Sequence, residues 1–177
     1  MTFDLISNKE FDIHVVIRIC KFKYARNVLV KRTVLSGCSF MGLYARRPIK
    51  EGEIVCAYVG DILTTKEALH LSNKDYLMRL GEQRYVDSKP YTGVAARYIN
   101  DCINPAGWNI EFQKRPRQGY ALVVAIRDIN RGQELFGSYG KWYWLGARKT
   151  IKPVRLSFMD VQRLILKSSE SDGHVDC

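Results

Sequence analysis

The chain has 177 residues, 46% hydrophobic and 26% charged, the mixture of an ordinary globular domain. That apolar content excludes global disorder, and no stretch approaches the roughly 20 apolar residues of a membrane-spanning helix. Lys plus Arg number 28 against 18 for Asp plus Glu, a formal net charge of +10 that attracts polyanions, nucleic acid first.

The excess is clustered. No acidic residue occurs from Ile13 to Lys50, a stretch holding Arg18, Lys21, Lys23, Arg26, Lys31, Arg32, Arg46 and Arg47. A second acid-free stretch, Leu135 to Met159, carries Lys141, Arg148, Lys149, Lys152 and Arg155. Phe22 and Tyr24 alternate with Lys21, Lys23 and Arg26, a pattern of nucleic-acid surfaces and equally of a strand with one buried face.

In chain order, Ile13–Cys20 and Val28–Leu35 are β-branched runs of strand length. Met41–Ala45 is a further short strand, and Ile54–Val59 follows the polar turn at Glu51-Gly52 and ends at Gly60-Asp61. Thr64 and Glu67 have capping-box spacing and open a short helix through about Leu71. Arg84–Asp87 reads as a short strand, and Gly119–Ile126 as a buried one. Ser157 and Asp160 cap a C-terminal helix with Phe158, Val161, Leu164 and Ile165 on one face, and residues 168–177 form a polar, flexible tail. The fold class is mainly β, a β-rich α+β domain with few short helices.

Cys20, Cys38, Cys56, Cys102 and Cys177 include no CxxC or CxC pair. No metal site is therefore expected, and the cysteines read as buried thiols of a reducing compartment. The N-terminus lacks a basic region and a long apolar run, so the expected location is nuclear or otherwise intracellular. The three histidines, His14, His70 and His174, do not lie by a Gly-flanked nucleophile, and no GxxxxGK[ST] or strand-borne GxGxxG occurs. An enzyme of this composition needs chemistry that asks little acid or base of its side chains.

Three separated segments match one pattern in order: Ser39-Phe40-Met41-Gly42-Leu43-Tyr44-Ala45, then Ala96-Arg97-Tyr98-Ile99-Asn100-Asp101-Cys102-Ile103-Asn104-Pro105, then Gly132-Gln133-Glu134-Leu135-Phe136-Gly137-Ser138-Tyr139-Gly140. With Glu51–Asp61, Asp75-Tyr76-Leu77 and Tyr85-Val86-Asp87 between them, they resemble the SET domain of protein lysine methyltransferases, with some features of its divergent PR/SET branch. On that resemblance the chain divides into N-terminal flanking strands at 1–32, the SET domain at 33–144, a C-terminal flank with an amphipathic helix at 145–167, and the tail at 168–177. The resemblance implies small curved sheets and a threaded C-terminal segment that brings Arg97–Pro105 to Tyr139.

It also implies a function: S-adenosylmethionine-dependent methylation of lysine on a basic protein tail, histones being the family's commonest substrate. The alternative is a catalytically weak or inactive module that binds chromatin or nucleic acid. Tyr139 matches the family's near-invariant tyrosine, beside the transferring methyl. Ser39, Phe40, Met41, Tyr76, Arg97, Asn100 and Asp101 fall at cofactor positions. Tyr91, Gly137, Trp142, Tyr143 and Trp144 fall at the substrate channel. Several residues depart from the pattern: Asp101 stands where histidine is usual, Ser138 where aspartate is, and Gly137 where many members carry the Phe or Tyr that limits methyl number. A small residue there admits higher methylation unless neighbours refill the space. A basic substrate calls for an acidic groove, with Asp61, Asp75, Glu82, Asp87 and Asp101 as candidates, leaving the basic stretches for nucleosomal DNA. No membrane partner is expected, and no oligomeric state is implied.

Overall fold

The computed structural model describes residues 27–35, 38–141 and Tyr143. The strand expected at Ile13–Cys20, the C-terminal helix, the tail, and Trp142 and Trp144 lie outside the described residues.

Eight strands form three small antiparallel sheets. Strands β1 (Val28–Leu35) and β2 (Cys38–Ala45) pair along their whole length, from Val28 opposite Ala45 to Leu35 opposite Cys38. The second sheet has the order β3 (Ile54–Tyr58), β8 (Tyr120–Ala125), β7 (Ile110–Arg115). The third has the order β4 (Asp61–Leu63), β6 (Arg84–Asp87), β5 (Leu77–Gly81). β3 and β8 are the apolar runs foreseen as strands; Val55 and Val123 are fully buried and their neighbours along the strand are buried or partly buried. That is why neither shows a two-residue polar period.

Helix α1 (Thr65–His70) starts as its cap dictates: Glu67 accepts from Thr64 N–H at 2.7 Å, and Thr64 Oγ1 accepts from Glu67 N–H at 3.4 Å. Two 3-10 turns, Ala95–Tyr98 and Pro105–Gly107, flank the Asn100–Asn104 loop; Asn104 caps the second by accepting from Ala106 N–H at 3.1 Å.

Strands β4, β5 and β7 were not foreseen. Gly60-Asp61 does not terminate extended chain; it joins β3 to β4, with Asp61 pairing to Asp87. The turn is possible because Gly60 has no side chain: a Cβ there would meet Asp87 O at 2.0 Å. β7 is an edge strand, mostly partly or fully exposed after Ile110, whose Glu111, Gln113 and Lys114 mask it in the sequence.

One core, with Leu43, Ile49, Val55, Val59, Val86, Ile99, Ile110, Val123, Ile129 and Leu135 among its members, links the sheets. Cys56 and Cys102 are buried in the fold. Bridges Tyr44 to Glu134 and Ile49 to Ile129 pull the 129–136 segment onto β2 and the chain that follows it. Among the described residues, no helix is long and apolar enough to cross a membrane.

Gly60 yields a direct check. An alanine there meets backbone rather than a movable side-chain end, so Gly60→Ala should cost about 3 kcal/mol or more in urea unfolding. Gly52→Ala, with φ of +78 but open space around it, should cost only about 1–2 kcal/mol.

Candidate functional site

Two chain segments far apart in sequence meet at the site. Asn100 and Phe136 form a parallel bridge, and Gly137 N–H donates to Asn100 O at 3.1 Å. Tyr139 lies just beyond. Its hydroxyl donates to Ile99 O at 2.6 Å and its N–H donates to Asp101 Oδ2 at 2.9 Å. Gly140, at φ +82, takes the left-handed turn that follows, and Ser138 Oγ accepts from its N–H at 3.1 Å.

Tyrosines surround Tyr139. The Tyr143 ring meets it edge to face, with centroids 4.7 Å apart at 73°. Tyr58 and Tyr76 also act on its phenol electrostatically, and Tyr58 donates its hydroxyl to Tyr76 O at 2.7 Å. Burial comes first among the causes that push the Tyr139 phenol well above the ordinary tyrosine value, with Tyr143, Tyr58 and Asp101 adding to it. Burial raises Tyr58 and Tyr143 as well. These phenols are therefore neutral at physiological pH, in a cluster of aromatic rings.

The cofactor candidates lie on the adjoining side. Ser39, Phe40 and Met41 are on β2, with the Phe40 and Met41 side chains 43% and 44% exposed. Asn100 Nδ2 donates to Met41 O at 3.1 Å and to Glu134 Oε1 at 2.9 Å, tying this strand to the loop. Arg97 stacks its guanidinium over Tyr76 at 4.0 Å from the ring centroid and over Tyr98 at 5.4 Å. Arg97 Nε is buried with no hydrogen-bond partner among the described residues. The Asp101 carboxylate is 7% exposed; besides Tyr139 it accepts from Ile103 N–H at 2.8 Å and Trp108 Nε1 at 2.9 Å.

The channel candidates divide. Tyr143 stands against Tyr139, whereas the Tyr91 hydroxyl is engaged by Asp61, whose bond pushes the phenol up to about 12. The space beside Gly137 is filled: a Cβ there would meet Ile110 Cδ1 at 2.4 Å and the Phe112 ring at 3.2 Å. Of the acidic candidates, Asp87 and Asp101 are buried and Asp61 is held by Tyr91. Asp75 is exposed, and its charge adds to the rise at Tyr143.

Three residues were not singled out from the sequence. Tyr58 is hidden in an apolar run, where only its hydroxyl distinguishes it. Trp108 follows the motif and gives no sign of its bond to Asp101. Glu134 is 6% exposed and accepts from Thr33 Oγ1 at 2.8 Å, Tyr44 Oη at 2.7 Å and Asn100 Nδ2. The one available signal was its placement directly before Leu135-Phe136 in the third segment.

Glu134→Ala removes the acceptor of buried Thr33 and of half-buried Tyr44 and Asn100, so it should lower unfolding free energy by about 2–3 kcal/mol. Chemical denaturation checks this. The pH dependence of stability follows from the phenols. A group neutral when folded but ionised when unfolded favours the unfolded state at high pH. Stability at neutral pH should therefore be lost above about pH 10, read as a falling melting temperature.

Comparison with known proteins agrees with this geometry. The family model for the SET domain matches residues 41–140. The chain is 32% identical over 127 residues to the Drosophila melanogaster histone-lysine N-methyltransferase trr, covering 67% of this chain and 5% of that protein. It is 33% identical over 135 residues to the Mus musculus histone-lysine N-methyltransferase, H3 lysine-36 specific, covering 71% of this chain and 5% of that protein. A Debaryomyces hansenii histone-lysine N-methyltransferase, H3 lysine-4 specific, is 33% identical over 110 residues, covering 55% of this chain and 10% of that protein. The chain thus spans a small fraction of these relatives' length. With its second and third motif segments meeting at Tyr139 and the first tied to them through Asn100 and Glu134, the chain belongs to the SET domain family.

Proposed function

We propose that this chain is an S-adenosylmethionine-dependent protein-lysine N-methyltransferase that acts on a basic protein tail, histones first, in the nucleus. The observation that carries the reading is Tyr139, fixed at both hydroxyl and amide within a cluster of neutral phenols. The relatives' names, histone-lysine N-methyltransferases acting at H3 lysine-4 or lysine-36, supply the substrate class.

The residues present fit the cofactor. A buried guanidinium N–H with no acceptor is costly, and a carboxylate such as that on the cofactor's methionine end would satisfy Arg97 Nε. The half-exposed Phe40 and Met41 side chains and the Tyr76 ring offer apolar surface for the rest, with Ser39 and Asn100 as the polar contributors, while the Asp101 carboxylate is turned instead to Ile103, Trp108 and Tyr139. When bound, the cofactor supplies a methyl already activated by a sulfonium. What remains for this chain is to align, to desolvate and to manage one proton.

A free lysine amine has a pKa of about 10.4 and must be neutral to attack. The aromatic surroundings of Tyr139 disfavour the ammonium form by desolvation. The Tyr139 hydroxyl gives its own proton to Ile99 O, so its oxygen turns acceptor lone pairs towards an incoming amine. Because burial keeps this phenol protonated, its orienting role persists as pH rises into the range that neutralises the lysine. Exposed Asp75, near Tyr143, provides negative charge for a basic tail. Ile110 and Phe112 occupy the space beside Gly137, so that glycine does not by itself leave room for extra methyl groups.

Tyr139→Phe tests the reading. Methyl transfer to histone should fall by about 100-fold, while S-adenosylmethionine affinity by calorimetry stays within about threefold of the parent chain. No heat of binding and no thermal stabilisation by the cofactor would contradict the reading. Cofactor binding without transfer would instead favour a non-catalytic, chromatin-binding module.

A further inference from the structure

We infer that Asp101 is a positioning residue for methyl transfer: its carboxylate sets the place of Tyr139 through the backbone. This rests on the proposed function and concerns how that site is held together.

Tyr139 lies in the sequence Gly137-Ser138-Tyr139-Gly140, where Gly137 is packed against Ile110 and Phe112 and Ser138 and Gly140 carry only small side chains. Gly140 is in the left-handed region, so the chain turns away immediately. Two bonds from Tyr139 go to one short stretch: its hydroxyl to Ile99 O at 2.6 Å and its N–H to Asp101 Oδ2 at 2.9 Å. The first fixes the tip of the side chain and the second fixes its root. A hydroxyl anchored at one end alone can swing, and a misplacement on the order of 1 Å costs on the order of 100-fold in rate.

The carboxylate is itself immobilised. Oδ1 accepts from Ile103 N–H at 2.8 Å and from Trp108 Nε1 at 2.9 Å, which leaves Oδ2 aimed at Tyr139. Ile103 is held at φ +54, a region a β-branched residue rarely enters. Its N–H on Asp101 helps to keep it there. Three N–H donors converge on one side chain. A neutral imidazole, the group the family pattern places at this position, has a single acceptor nitrogen. The aspartate is thus suited to an arrangement that a histidine could not reproduce.

Two variants separate positioning from stability. In Asp101→Asn the amide oxygen can keep Ile103 and Trp108, but the amide NH2 then faces Tyr139 N–H, donor against donor. In Trp108→Phe the Oδ1 side loses a partner and the Tyr139 bond remains. Asp101→Asn should lower kcat by about 100-fold, with the histone KM and S-adenosylmethionine affinity within about threefold. Trp108→Phe should keep kcat within about threefold while it lowers the melting temperature. Amide hydrogen exchange gives a readout that needs no activity. Protection of the Tyr139 N–H should be lost in Asp101→Asn and retained in Trp108→Phe. Equal kcat losses in both variants, a kcat unchanged in Asp101→Asn, or retained Tyr139 protection there would overturn the inference. A parent chain that transfers no methyl would overturn the functional reading itself, and the exchange result would still decide whether Asp101 holds Tyr139.

Discussion

A single buried carboxylate sets the frame. Glu134 accepts from Thr33 on β1, Tyr44 on β2 and Asn100 in the central loop. Its own carbonyl accepts from Asn109 Nδ2 at 2.8 Å, at the foot of β7. No cation partners it among the described residues; neutral donors carry its charge, which suits a buried acid only when every lone pair is met. Gly42 completes the arrangement, because a Cβ there would meet Glu134 Oε1 at 2.3 Å. The third motif segment is thereby pinned against the first, and the second is drawn between them.

From this frame the two neighbouring polar residues of the loop take separate tasks. Asn100 faces Glu134 and Met41 O, joining the loop to the strand proposed to carry cofactor contacts. Asp101 faces the other way, to Trp108, Ile103 and Tyr139. Adjacent residues of one loop thus serve two separate hydrogen-bond networks. Under the proposed function the site needs no histidine: alignment and exclusion of water would fall to backbone carbonyls, carboxylate clamps and neutral phenols.

Much of this was legible in the sequence where local chemistry decides the outcome. The capping box at Thr64 and Glu67 and the apolar runs of β1, β3 and β8 follow from spacing and side-chain type, whereas the approach of Arg97–Pro105 to Tyr139 was implied by the family resemblance alone. What was hidden depends on contacts between distant segments. β4 begins at Asp61 because Gly60 allows its backbone to lie against Asp87, which no local signal reports. β7 reads as polar because it is an edge. Tyr58 looks like core, and Glu134 looks like a surface acid in a turn, until Thr33 and Asn100 are brought to it. The acidic candidates misled for the same reason: Asp87 and Asp101 were counted as groove charge, yet both are buried.

The positive charge of the chain takes a narrower meaning in this setting. In the described part, Arg47 pairs with Glu53, and Lys50 with Asp128 at 2.7 Å, so part of the basic stretch before Glu51 is locally answered. Basic residues outside the described segments hold much of the rest. The central claim, that the Tyr139 cluster transfers a methyl group to lysine, is tested most directly by incubating the chain with methyl-labelled S-adenosylmethionine and histones or nucleosomes, then mapping the label by mass spectrometry. The account predicts label on lysine side chains of a histone tail. No label on any lysine, under conditions where the cofactor is bound, would contradict it.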